Sequence, residues 1–473
     1  MLLEKLHAEL GAIDELGATT MRAEQADAVT EVVDVVHDSR KASPHSLFCA
    51  VPGLTVDGHD YIDAAHKRGA VAALVEHFAE VDTPQIRVGN VRQAMAHAAA
   101  LVHGRPSAEL AVFGITGTNG KTTTTKLLAS ILASAGRSCH VIGTLAGAHT
   151  TPESTDLQRQ LRAAVTAGHD VVALEVSSHA LDQCRADATE FAVAAFSNLT
   201  PDHLDYHHDM ASYFEAKARL FDGRARSEII NIDDPWGTRL AARRPGALAV
   251  SLHDIQIVNE TIAGTEFNWR GHVARVPLPG HMNVANALMA CEAALLLGLD
   301  ESEIAVGLQS AEPVSGRMQL VQAPTTELPT VVVDYSHTPD SIERALQTLR
   351  SVERGGQLSI VFGCGGDRDR SKRPLMAAAA EAGADRVYLT SDNPRSEDPL
   401  AIIADALVGF DASGNVVIEP DRREAIRRAI IDAGPGDAIL IAGKGHEKTQ
   451  TVGDDVLPFD DVLVAQEMLE VTR

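Results

Sequence analysis

One stretch restricts the fold of this chain more than any other: residues 114–123 read Gly-Ile-Thr-Gly-Thr-Asn-Gly-Lys-Thr-Thr. The short apolar run 110–113 precedes it, and apolar residues recur at helical spacing after it as far as Gly136, which suits a helix C-cap. A strand, a glycine loop and a helix that opens with Lys-Thr form a phosphate cradle, because backbone N–H groups and the helix N-terminus face the anion. Lys121 would neutralise the phosphates, and the Thr122 hydroxyl would reach Mg²⁺. We therefore predict a site for a nucleoside triphosphate with Mg²⁺.

The first glycine of this stretch departs from the usual pattern. Gly114 stands one residue too early for a loop that has four residues between its first glycine and Gly-Lys. The alternative is an ordinary glycine turn between a strand and a helix. We favour the phosphate site, because Gly-Lys-Thr at such a junction leaves the lysine little other role.

Composition narrows the class of protein. With 473 residues, and about 150 residues per domain, we expect about three domains. The net charge of −24 argues against a nucleic-acid or membrane-surface protein, since both kinds cluster Lys and Arg. The five cysteines have no metal-like spacing, which favours a reducing compartment. The sequence has neither an apolar run of the roughly 18 residues that span a membrane nor the start of a signal peptide. We expect a cytoplasmic monomer with no nucleic-acid partner and no membrane insertion.

Alternating strand and helix patterns predict the α/β fold class, with three α/β domains. Residues 1–104 form a small N-terminal unit that ends at the linker candidate 104–107. Residues 105–316 form a central P-loop-type domain with a mostly parallel sheet, and alternating patterns over 250–279 predict antiparallel strands within it. Residues 317–473 alternate again, which predicts a C-terminal Rossmann-like domain whose sheet is covered on both faces.

Two side chains of the central segment are predicted to lie beside the glycine loop. Glu175 ends the apolar strand 170–176, and His203 follows the strand 191–196. Ligands of open parallel sheets bind outside the carboxyl ends of the strands, so both side chains should reach the edge that carries the loop. A cation is the simplest partner for a buried Glu175, because an unpaired buried carboxylate is costly. The alternatives are a capping or salt-bridged glutamate and an ordinary hydrogen-bonded histidine.

Basic residues supply two further candidates. Lys217 lies in the predicted helix 210–220 among apolar residues that would hold it near the same edge, although a snorkelling surface lysine is the alternative. The glycine-rich loop 363–373 carries the densest basic cluster of the chain, which suits an anionic partner and consists of Arg368, Arg370, Lys372 and Arg373. These features suit a transferase, a kinase or an ATP-driven ligase, and spacing alone does not choose among the three classes.

Several motifs together resemble those of the Mur ligase family, over nearly the whole chain from Asp38 to Asp461. They are Gly117-Thr-Asn-Gly-Lys-Thr-Thr123, Glu175-Val-Ser-Ser-His179, Asn198-Leu-Thr-Pro-Asp-His-Leu-Asp-Tyr-His207, Glu215-Ala-Lys217, Asp334-Tyr-Ser-His-Thr-Pro339, Gly363-Cys-Gly-Gly-Asp-Arg-Asp369 and Gly443-Lys-Gly-His-Glu447. Asp392-Asn-Pro-Arg395 resembles the loop of members that add meso-diaminopimelate to UDP-N-acetylmuramoyl-L-alanyl-D-glutamate. The resemblance implies that the N-terminal domain binds the UDP end, the central domain binds ATP and the C-terminal domain binds the amino acid.

The resemblance implies an ATP-dependent ligase of peptidoglycan precursor synthesis. The γ-phosphoryl group of ATP would pass to the D-glutamyl side-chain carboxylate, and the amine of meso-diaminopimelate would attack the acyl phosphate. The implied cofactors are ATP and Mg²⁺. The implied catalytic residues are Lys121, Glu175, His203 and Lys217, and the implied metal ligands are Thr122, Glu175, His203 and Lys217 as a carbamate.

The resemblance also implies binding residues. The positions matched to ATP contacts are Gly117, Thr118, Asn119, Gly120, Lys121, Thr122, Thr123, Asn283, Asn286, Arg317 and Asp334. The positions matched to the UDP substrate are Ser39, Thr150, Thr151, Ser177, Gln183 and Arg185. The positions matched to the amino acid are Arg368, Asp392, Asn393, Pro394, Arg395, Gly443 and Glu447.

Arg395 has a physical rationale of its own. Its planar guanidinium can bind the distal carboxylate of diaminopimelate bidentately. Lysine lacks that carboxylate, and a site built to pair a polar group discriminates strongly against an analogue that lacks it. The alternative is a structural ion pair between Arg395 and Glu397 or Asp398.

Two other functions fit parts of the pattern. A folylpolyglutamate synthase would share the nucleotide loop and the ligase chemistry, but the Asp392–Arg395 loop argues against it. A nucleotide-gated binding module without ligase activity is the second alternative. Intact Lys121, Glu175, His203 and Lys217 argue against such a module.

Overall fold

The structure is a computed structural model that describes residues 1–22, 30–53, 55–145, 147, 149–321, 327–353, 355–411 and 413–471. Three successive α/β units confirm the predicted fold class. The predicted boundaries at 104/105 and 316/317 fall in connections between elements, and they remain predictions. The described part of the chain contains no helix that is long and apolar enough to cross a membrane.

The N-terminal unit is built on five strands. Its elements are α1 (Leu3–Gly11), β1 (Thr20–Arg22), β2 (Asp34–Val36), β3 (Ser46–Cys49), α2 (Ile62–Lys67), β4 (Ala70–Val75), β5 (Gln85–Arg87) and α3 (Val91–Val102). The sheet order is β1-β5-β4-β3-β2, with only β1 antiparallel to its neighbour. The alanine-rich helix α3 packs closely on the sheet beside α1.

The central unit holds the glycine loop. Its elements are β6 (Ala111–Thr116), α4 (Lys121–Ser134), β7 (Cys139–Ile142), α5 (Ser154–Thr166), β8 (Val171–Glu175), α6 (Ser178–Asp182), β9 (Phe191–Phe196), α7 (Leu204–His207), α8 (Met210–Ala218), β10 (Ala225–Asn231), α9 (Pro235–Arg243), β11 (Leu248–Val250), β12 (Gln256–Thr261), β13 (Gly264–Trp269), β14 (His272–Val276), α10 (His281–Leu296) and α11 (Glu301–Gln309). The parallel sheet has the order β11-β10-β9-β6-β8-β7, and β12–β14 form a separate antiparallel sheet at the predicted place.

The displaced glycine is explained by packing in the sheet. Gly114 lies inside β6, and a Cβ there would be 2.4 Å from the Phe191 ring. The glycine loop therefore begins after Thr116, at Gly117, so Gly114 serves the strand rather than the phosphate cradle.

The C-terminal unit repeats the layout of a buried parallel sheet. Its elements are β15 (Gln319–Val321), β16 (Thr330–Asp334), α12 (Pro339–Val352), β17 (Leu358–Phe362), α13 (Lys372–Gly383), β18 (Arg386–Leu389), α14 (Pro399–Leu407), β19 (Val416–Ile418), α15 (Arg422–Asp432), β20 (Ala438–Ala442), β21 (Thr449–Val452), β22 (Asp455–Pro458) and α16 (Asp461–Val471). The order is β15-β16-β20-β17-β18-β19, with only β15 antiparallel. Helices α12–α14 cover one face and α15–α16 the other, which is why β16, β17 and β20 are almost continuously apolar.

The strand order decides which loops meet. Strand β20 lies between β16 and β17, although it follows both in the chain. The loops that follow these three strands are therefore neighbours at the carboxyl edge of the sheet, where ligands of such sheets bind. The hairpin β21–β22 extends the loop after β20 across this edge.

Candidate active site

A cavity of about 720 Å³ lies between the carboxyl edges of the central and C-terminal sheets. Most of the predicted site residues line it. They are Thr118, Asn119, Gly120, Lys121, Thr122, Thr123, Thr150, Thr151, Glu175, Ser177, Arg185, His203, Asn283, Asn286, Arg317, Asp334, Arg368, Asp392, Asn393, Arg395, Gly443 and Glu447. Two opposing walls result. We call residues 117–123 with Glu175 and His203 the glycine-loop wall, and Arg368, Asp392, Asn393, Arg395 and Glu447 the C-terminal wall.

The remaining predicted residues lie outside the cavity lining. Gly117 belongs to the glycine-loop wall without lining the cavity, and Lys217 lies behind it, where Lys217 Nζ donates to Gly117 O at 2.8 Å. Pro394 is buried between two lining residues. Gln183 contacts the Tyr206 hydroxyl at 3.2 Å and accepts from Arg185 at 2.8 Å. Ser39 lies in an exposed turn of the N-terminal unit, so the structure does not bring it to the cavity.

The glycine loop has the shape of an anion cradle. Gly117 and Gly120 have φ angles of 147° and 91°, and close neighbours leave no room for a Cβ at either position. Lys121 begins α4 and donates through Nζ to Gly117 O at 2.8 Å and Thr118 O at 2.9 Å. Burial lowers the pKa of Lys121, whereas the negative charge of Glu175 opposes that shift. The loop thus holds its own cation in place beside the cavity.

Glu175 is a buried carboxylate that is held by hydrogen bonds from two threonines. It is 1% exposed, and it accepts hydrogen bonds from Thr122 Oγ1 at 3.0 Å and from Thr144 N and Oγ1, each at 3.0 Å. It forms no ion pair within the described part of the chain, so the salt-bridge alternative is wrong. Carboxylate and hydroxyl oxygens are the ligands that Mg²⁺ prefers. The Glu175–Thr122 pair therefore fits that ion.

His203 lies on the same edge as Glu175. Its backbone has a left-handed φ of 54°, and its side chain is 46% exposed toward the cavity. The ring packs edge-on against the His179 ring, with centroids 4.8 Å apart. Partial withdrawal from water lowers the pKa of His203, as do the positive charges of Lys217 and Lys121, although Asp202 opposes them. A neutral imidazole offers a lone pair to a metal ion.

Lys217 is buried rather than snorkelling, so the surface-lysine alternative is wrong. It is 1% exposed, and its Nζ lies 4.7 Å from the centroid of the Tyr213 ring. Among the described residues, its Nζ donates a hydrogen bond to Gly117 O, and no described carboxylate forms an ion pair with it. Burial and the nearby charge of Lys121 lower the pKa of Lys217 well below its ordinary value. A lowered pKa makes the deprotonated, nucleophilic amine more accessible than in an ordinary lysine.

Arg395 faces the cavity with a free guanidinium edge. Its Nη1 donates to Gly366 O at 2.6 Å, and within the described residues it forms no ion pair. Glu397 instead binds Arg373 and Arg370, at 2.8 and 2.7 Å, and Asp398 caps α14. The proposed ion pair of Arg395 with Glu397 or Asp398 is therefore wrong.

Three family models match the chain in succession. The model described as "Mur ligase family, catalytic domain" matches residues 31–103, the "Mur ligase middle domain" matches 115–294, and the "Mur ligase, glutamate ligase domain" matches 316–445. The chain belongs to the Mur ligase family.

Similar proteins agree with this assignment. A protein of Geobacillus thermodenitrificans (strain NG80-2), named UDP-N-acetylmuramoyl-L-alanyl-D-glutamate–2,6-diaminopimelate ligase, is 42% identical over 473 residues, covering 94% of this chain and 96% of the relative. A solved structure with that same enzyme name is 34% identical, with a TM-score of 0.68 and 98% of both chains covered. MurF from Acinetobacter baumannii shares the fold, with a TM-score of 0.67 at 19% identity over 98% and 97% of the two chains.

The backbone of Arg395 in this Mur ligase is held in an uncommon conformation. Its φ angle is 53°, in the left-handed region that favours glycine. Strand β21 fixes it there, because Arg395 N donates to Thr451 O at 3.0 Å and Gly453 N donates to Arg395 O at 2.7 Å. The hairpin β21–β22 thus sets the direction of the guanidinium group.

The C-terminal wall also carries acidic groups. Asn393 Nδ2 donates to Glu447 Oε2 at 2.7 Å, which orients both side chains. Asp392 is 8% exposed, and its carboxylate accepts no hydrogen bond from the described residues. Burial raises the pKa of Asp392, whereas the cations of Arg422 and Lys444 oppose the shift. This wall therefore presents both signs of charge to one ligand.

Only part of the basic cluster of this Mur ligase faces the cavity. Arg368 and Lys372 line it. Arg373 is 1% exposed and binds Glu397 and Asp405, each at 2.8 Å, and Arg370 also binds Glu397. The interpretation of the whole cluster as facing an anion is wrong for Arg370 and Arg373, because these pair with acids of a neighbouring loop and helix.

The joint between the central and C-terminal units contacts the glycine loop. Arg317 Nη2 donates to Thr122 Oγ1 at 3.3 Å, and the guanidinium lies 4.4 Å from the centroid of the Tyr335 ring. Asp334 accepts from Met318 N at 2.7 Å and from Ser336 N at 2.9 Å. Asp334 thus fixes the chain beside Arg317.

The residues matched to the UDP substrate form a chain of hydrogen bonds leading away from Glu175. Thr151 Oγ1 donates to Glu175 O at 2.8 Å and accepts from Ser177 N at 3.0 Å. Arg185 donates to Thr151 O at 3.1 Å and pairs with Glu153 at 2.8 Å. Thr150 Oγ1 lies 3.0 Å from Thr144 Oγ1, so this region and the glycine-loop wall share partners.

Sequence reasoning missed several residues that line the cavity. They are His179, Asp202, Tyr335, His337, Asp369 and His446. Asp202 lies 3.9 Å from Lys372 Nζ, a contact between the central and C-terminal units. His337 and His446 lie within the Asp334–Pro339 and Gly443–Glu447 motifs, so their place in these motifs could have identified them as cavity residues. The Asp202–Lys372 contact had no sequence signal, because the two residues belong to different units.

Proposed function

We propose that this Mur ligase is an ATP-dependent amide ligase that joins meso-diaminopimelate to UDP-N-acetylmuramoyl-L-alanyl-D-glutamate, in cytoplasmic peptidoglycan precursor synthesis. The main support for the proposal is the position of the Arg395 guanidinium group. It faces the cavity and forms no ion pair with another described residue. The name of the 42% identical relative supports the same reaction.

The C-terminal wall is proposed to bind the amino acid. Meso-diaminopimelate has an ammonium and a carboxylate group at each end, so its site needs both signs of charge. Arg395 would bind the distal carboxylate bidentately, with Arg368 as a second cation. Asp392 and Glu447 would accept hydrogen bonds from an ammonium group, with Asn393, Pro394 and Gly443 shaping the loops around it.

The glycine-loop wall is proposed to bind the triphosphate of ATP. The backbone N–H groups of residues 117–123 and Lys121 Nζ would hold the phosphates. Arg317 lies near the same phosphates, and Asp334 would keep it there. Asn283 and Asn286 lie one helical turn apart on α10, 3.3 Å from each other, and both face the cavity beside the loop.

The residues present fit a divalent cation. Glu175 and Thr122 offer oxygen ligands, and His203 offers a neutral imidazole. Mg²⁺ bound there would neutralise charge on the phosphoryl group during transfer. Lys217 would add an oxygen ligand as a carbamate. Its deprotonated Nζ would form an N–C bond to CO₂ and release one proton, which gives an anion at a place where the ammonium form of the lysine would repel the metal.

The reaction follows from the placement of the two walls. The D-glutamyl side-chain carboxylate would attack the γ-phosphorus, and ADP would leave, which forms an acyl phosphate. The amine of the diamino acid, held on the opposite wall, would then attack the acyl carbon and expel phosphate. Catalysis of phosphoryl transfer depends mainly on position and charge neutralisation, which Lys121 and the metal ligands would supply.

The UDP substrate is proposed to lie between the N-terminal and central units. Thr150, Thr151, Ser177, Gln183 and Arg185 would hold its sugar-peptide part. Ser39 would contact the UDP end, and its turn is joined to the central unit by Lys41, whose Nζ lies 3.6 Å from Asp156.

Phosphate release from ATP tests the proposal. The purified protein would be assayed with UDP-N-acetylmuramoyl-L-Ala-D-Glu and Mg²⁺, with meso-diaminopimelate, with L-lysine or with no amino acid. We expect sustained release only with meso-diaminopimelate. Release with lysine alone would contradict the role of Arg395. Absence of release with either amino acid would favour a binding module, and release with a folate substrate and glutamate would favour a folylpolyglutamate synthase.

A further inference from the structure

Lys444 is a completely buried cation behind the C-terminal wall. It is 0% exposed and does not line the cavity, so it cannot touch a ligand there. Its Nζ donates to Asn393 Oδ1 at 3.2 Å, to Glu447 Oε2 at 3.3 Å and to Thr449 O at 2.6 Å. All three donors of the ammonium group are therefore in use.

These three bonds join two separate stretches of the chain. Asn393 belongs to the loop after β18, whereas Glu447 lies with Lys444 in the loop after β20, and Thr449 begins the hairpin β21–β22 that follows that loop. The segments also bind one another, because Thr451 N donates to Asn393 Oδ1 at 2.9 Å and Asn393 Nδ2 donates to Glu447 Oε2 at 2.7 Å. Lys444 is the centre of this network.

The charge of Lys444 matters as well as its hydrogen bonds. The same wall holds Asp392 and Glu447, two carboxylates in a site largely withdrawn from water, and their negative charges repel each other. Lys444 forms an ion pair with Glu447 at 3.3 Å and also attracts the charge of Asp392, whereas Arg422, which attracts Asp392 as well, is paired with Asp461 at 2.7 Å. Removing the ammonium would leave Glu447 without this ion pair and with one hydrogen bond fewer to orient its side chain, and it would weaken the attraction that acts on Asp392.

We propose that Lys444 is a positioning residue for the incoming diamino acid, acting through Asn393 and Glu447. It holds the amide and the carboxylate in the directions that bind the ammonium group of the ligand. We expect the glycine-loop wall, and hence ATP binding, not to depend on Lys444. This inference rests on the proposed function, because it assigns a role toward the amino acid of that reaction.

Steady-state kinetics of Lys444→Gln test the inference. Glutamine keeps an N–H donor for Thr449 O but removes the charge. We expect KM for meso-diaminopimelate to rise about tenfold or more, which is the loss expected for a charge-assisted hydrogen bond. We expect KM for ATP and for the UDP substrate to change by no more than about twofold, as for independent sites. Lys448→Gln is the matched control, because Lys448 is exposed in the same loop and should leave all three KM values unchanged.

A double-mutant cycle with Glu447→Gln separates positioning from a general structural role. If Lys444 acts through Glu447, Lys444→Gln should raise KM for the diamino acid much less in the Glu447→Gln background than in the wild type. Lys444→Met, with folding verified by its KM for ATP, provides a second variant if the glutamine variant does not fold.

The results of these experiments distinguish failure of the proposed function from failure of the positioning role of Lys444. A wild-type protein without diaminopimelate-dependent phosphate release would contradict the proposed function itself. An active wild type whose folded Lys444 variants have an unchanged KM for meso-diaminopimelate would overturn the positioning role. A parallel rise in all three KM values, or full additivity with Glu447→Gln, would also overturn it.

Discussion

The glycine-loop wall and the C-terminal wall face the same cavity but are built differently. The first comes mostly from one contiguous stretch, 117–123, and its charged groups form no ion pairs among the described residues: Glu175 accepts a hydrogen bond from Thr122, and Lys121 and Lys217 donate to backbone carbonyls. The second comes from the loops after β17, β18 and β20, and its charges are oriented by other side chains and by the hairpin β21–β22. We infer that a bound ligand supplies the counter-charges of the glycine-loop wall, whereas neighbouring groups of the protein orient the charges of the C-terminal wall.

This difference predicts different consequences of substitution. On the glycine-loop wall, loss of one group should lower kcat by orders of magnitude with every amino acid. On the C-terminal wall, loss of one group should change which amino acid is used and how tightly, while turnover with a good substrate persists.

Lys217→Ala is expected to have the largest effect, a loss of roughly 10³-fold in kcat, because a group that stabilises charge in the transition state is removed. If the lysine acts as a carbamate, ¹³C-bicarbonate should give a carbamate signal in the ¹³C NMR spectrum of the wild type but not of the variant. Lys126→Ala is the control, because Lys126 is half-buried in α4 and does not line the cavity. A wild-type kcat in Lys217→Ala would contradict a catalytic role of Lys217 and, with it, the proposed difference between the two walls.

Glu175→Gln should lower kcat by about 10²-fold and also stabilise the ligand-free protein. The variant removes a buried negative charge that forms no ion pair with a described residue, and such charges cost folding free energy. Kinetics and thermal unfolding, both on the same preparations, would measure the two effects. A lower Tm in the ligand-free variant would show that Glu175 is balanced within the protein after all.

Arg368 and Arg370 form a matched pair within one loop of the C-terminal wall. Arg368 lines the cavity without an ion pair, whereas Arg370 binds Glu397 at the surface. Arg368→Ala should raise KM for meso-diaminopimelate by about tenfold, and Arg370→Ala by less than about twofold, because exposed ion pairs contribute little. Equal effects of the two substitutions would contradict the distinction between Arg368, which faces the cavity, and Arg370, which is paired with Glu397.

The arrangement of the glycine-loop wall could be predicted from the sequence, whereas the arrangement of the C-terminal wall could not. A strand, loop and helix in one stretch fix the cradle locally, so Lys121 and Thr122 could be placed from spacing alone. Glu175 and His203 followed from the rule that ligands lie at the carboxyl ends of parallel strands. The burial of Lys217 depends on α8 packing behind the loop, which no local pattern encodes.

The C-terminal wall depends on the strand order. The insertion of β20 between β16 and β17 brings Gly443 and Glu447 beside Arg368, and no residue pattern specifies that order. The pairing of Arg373 with Glu397 and Asp405, and the role of Lys444 between two loops, arise only after the loops meet. Family resemblance supplied the identities of these residues in advance, but the division of the basic cluster required the structure.

The specificity constants of Arg395→Ala for meso-diaminopimelate and for L-lysine test the central claim most directly. Arg395 is expected to pair with a carboxylate that lysine lacks, so kcat/KM for meso-diaminopimelate relative to lysine should fall by at least about tenfold. Arg370→Ala, measured alongside, should retain the wild-type ratio. An unchanged ratio in a folded, active Arg395→Ala variant would contradict the assignment of this arginine to the distal carboxylate.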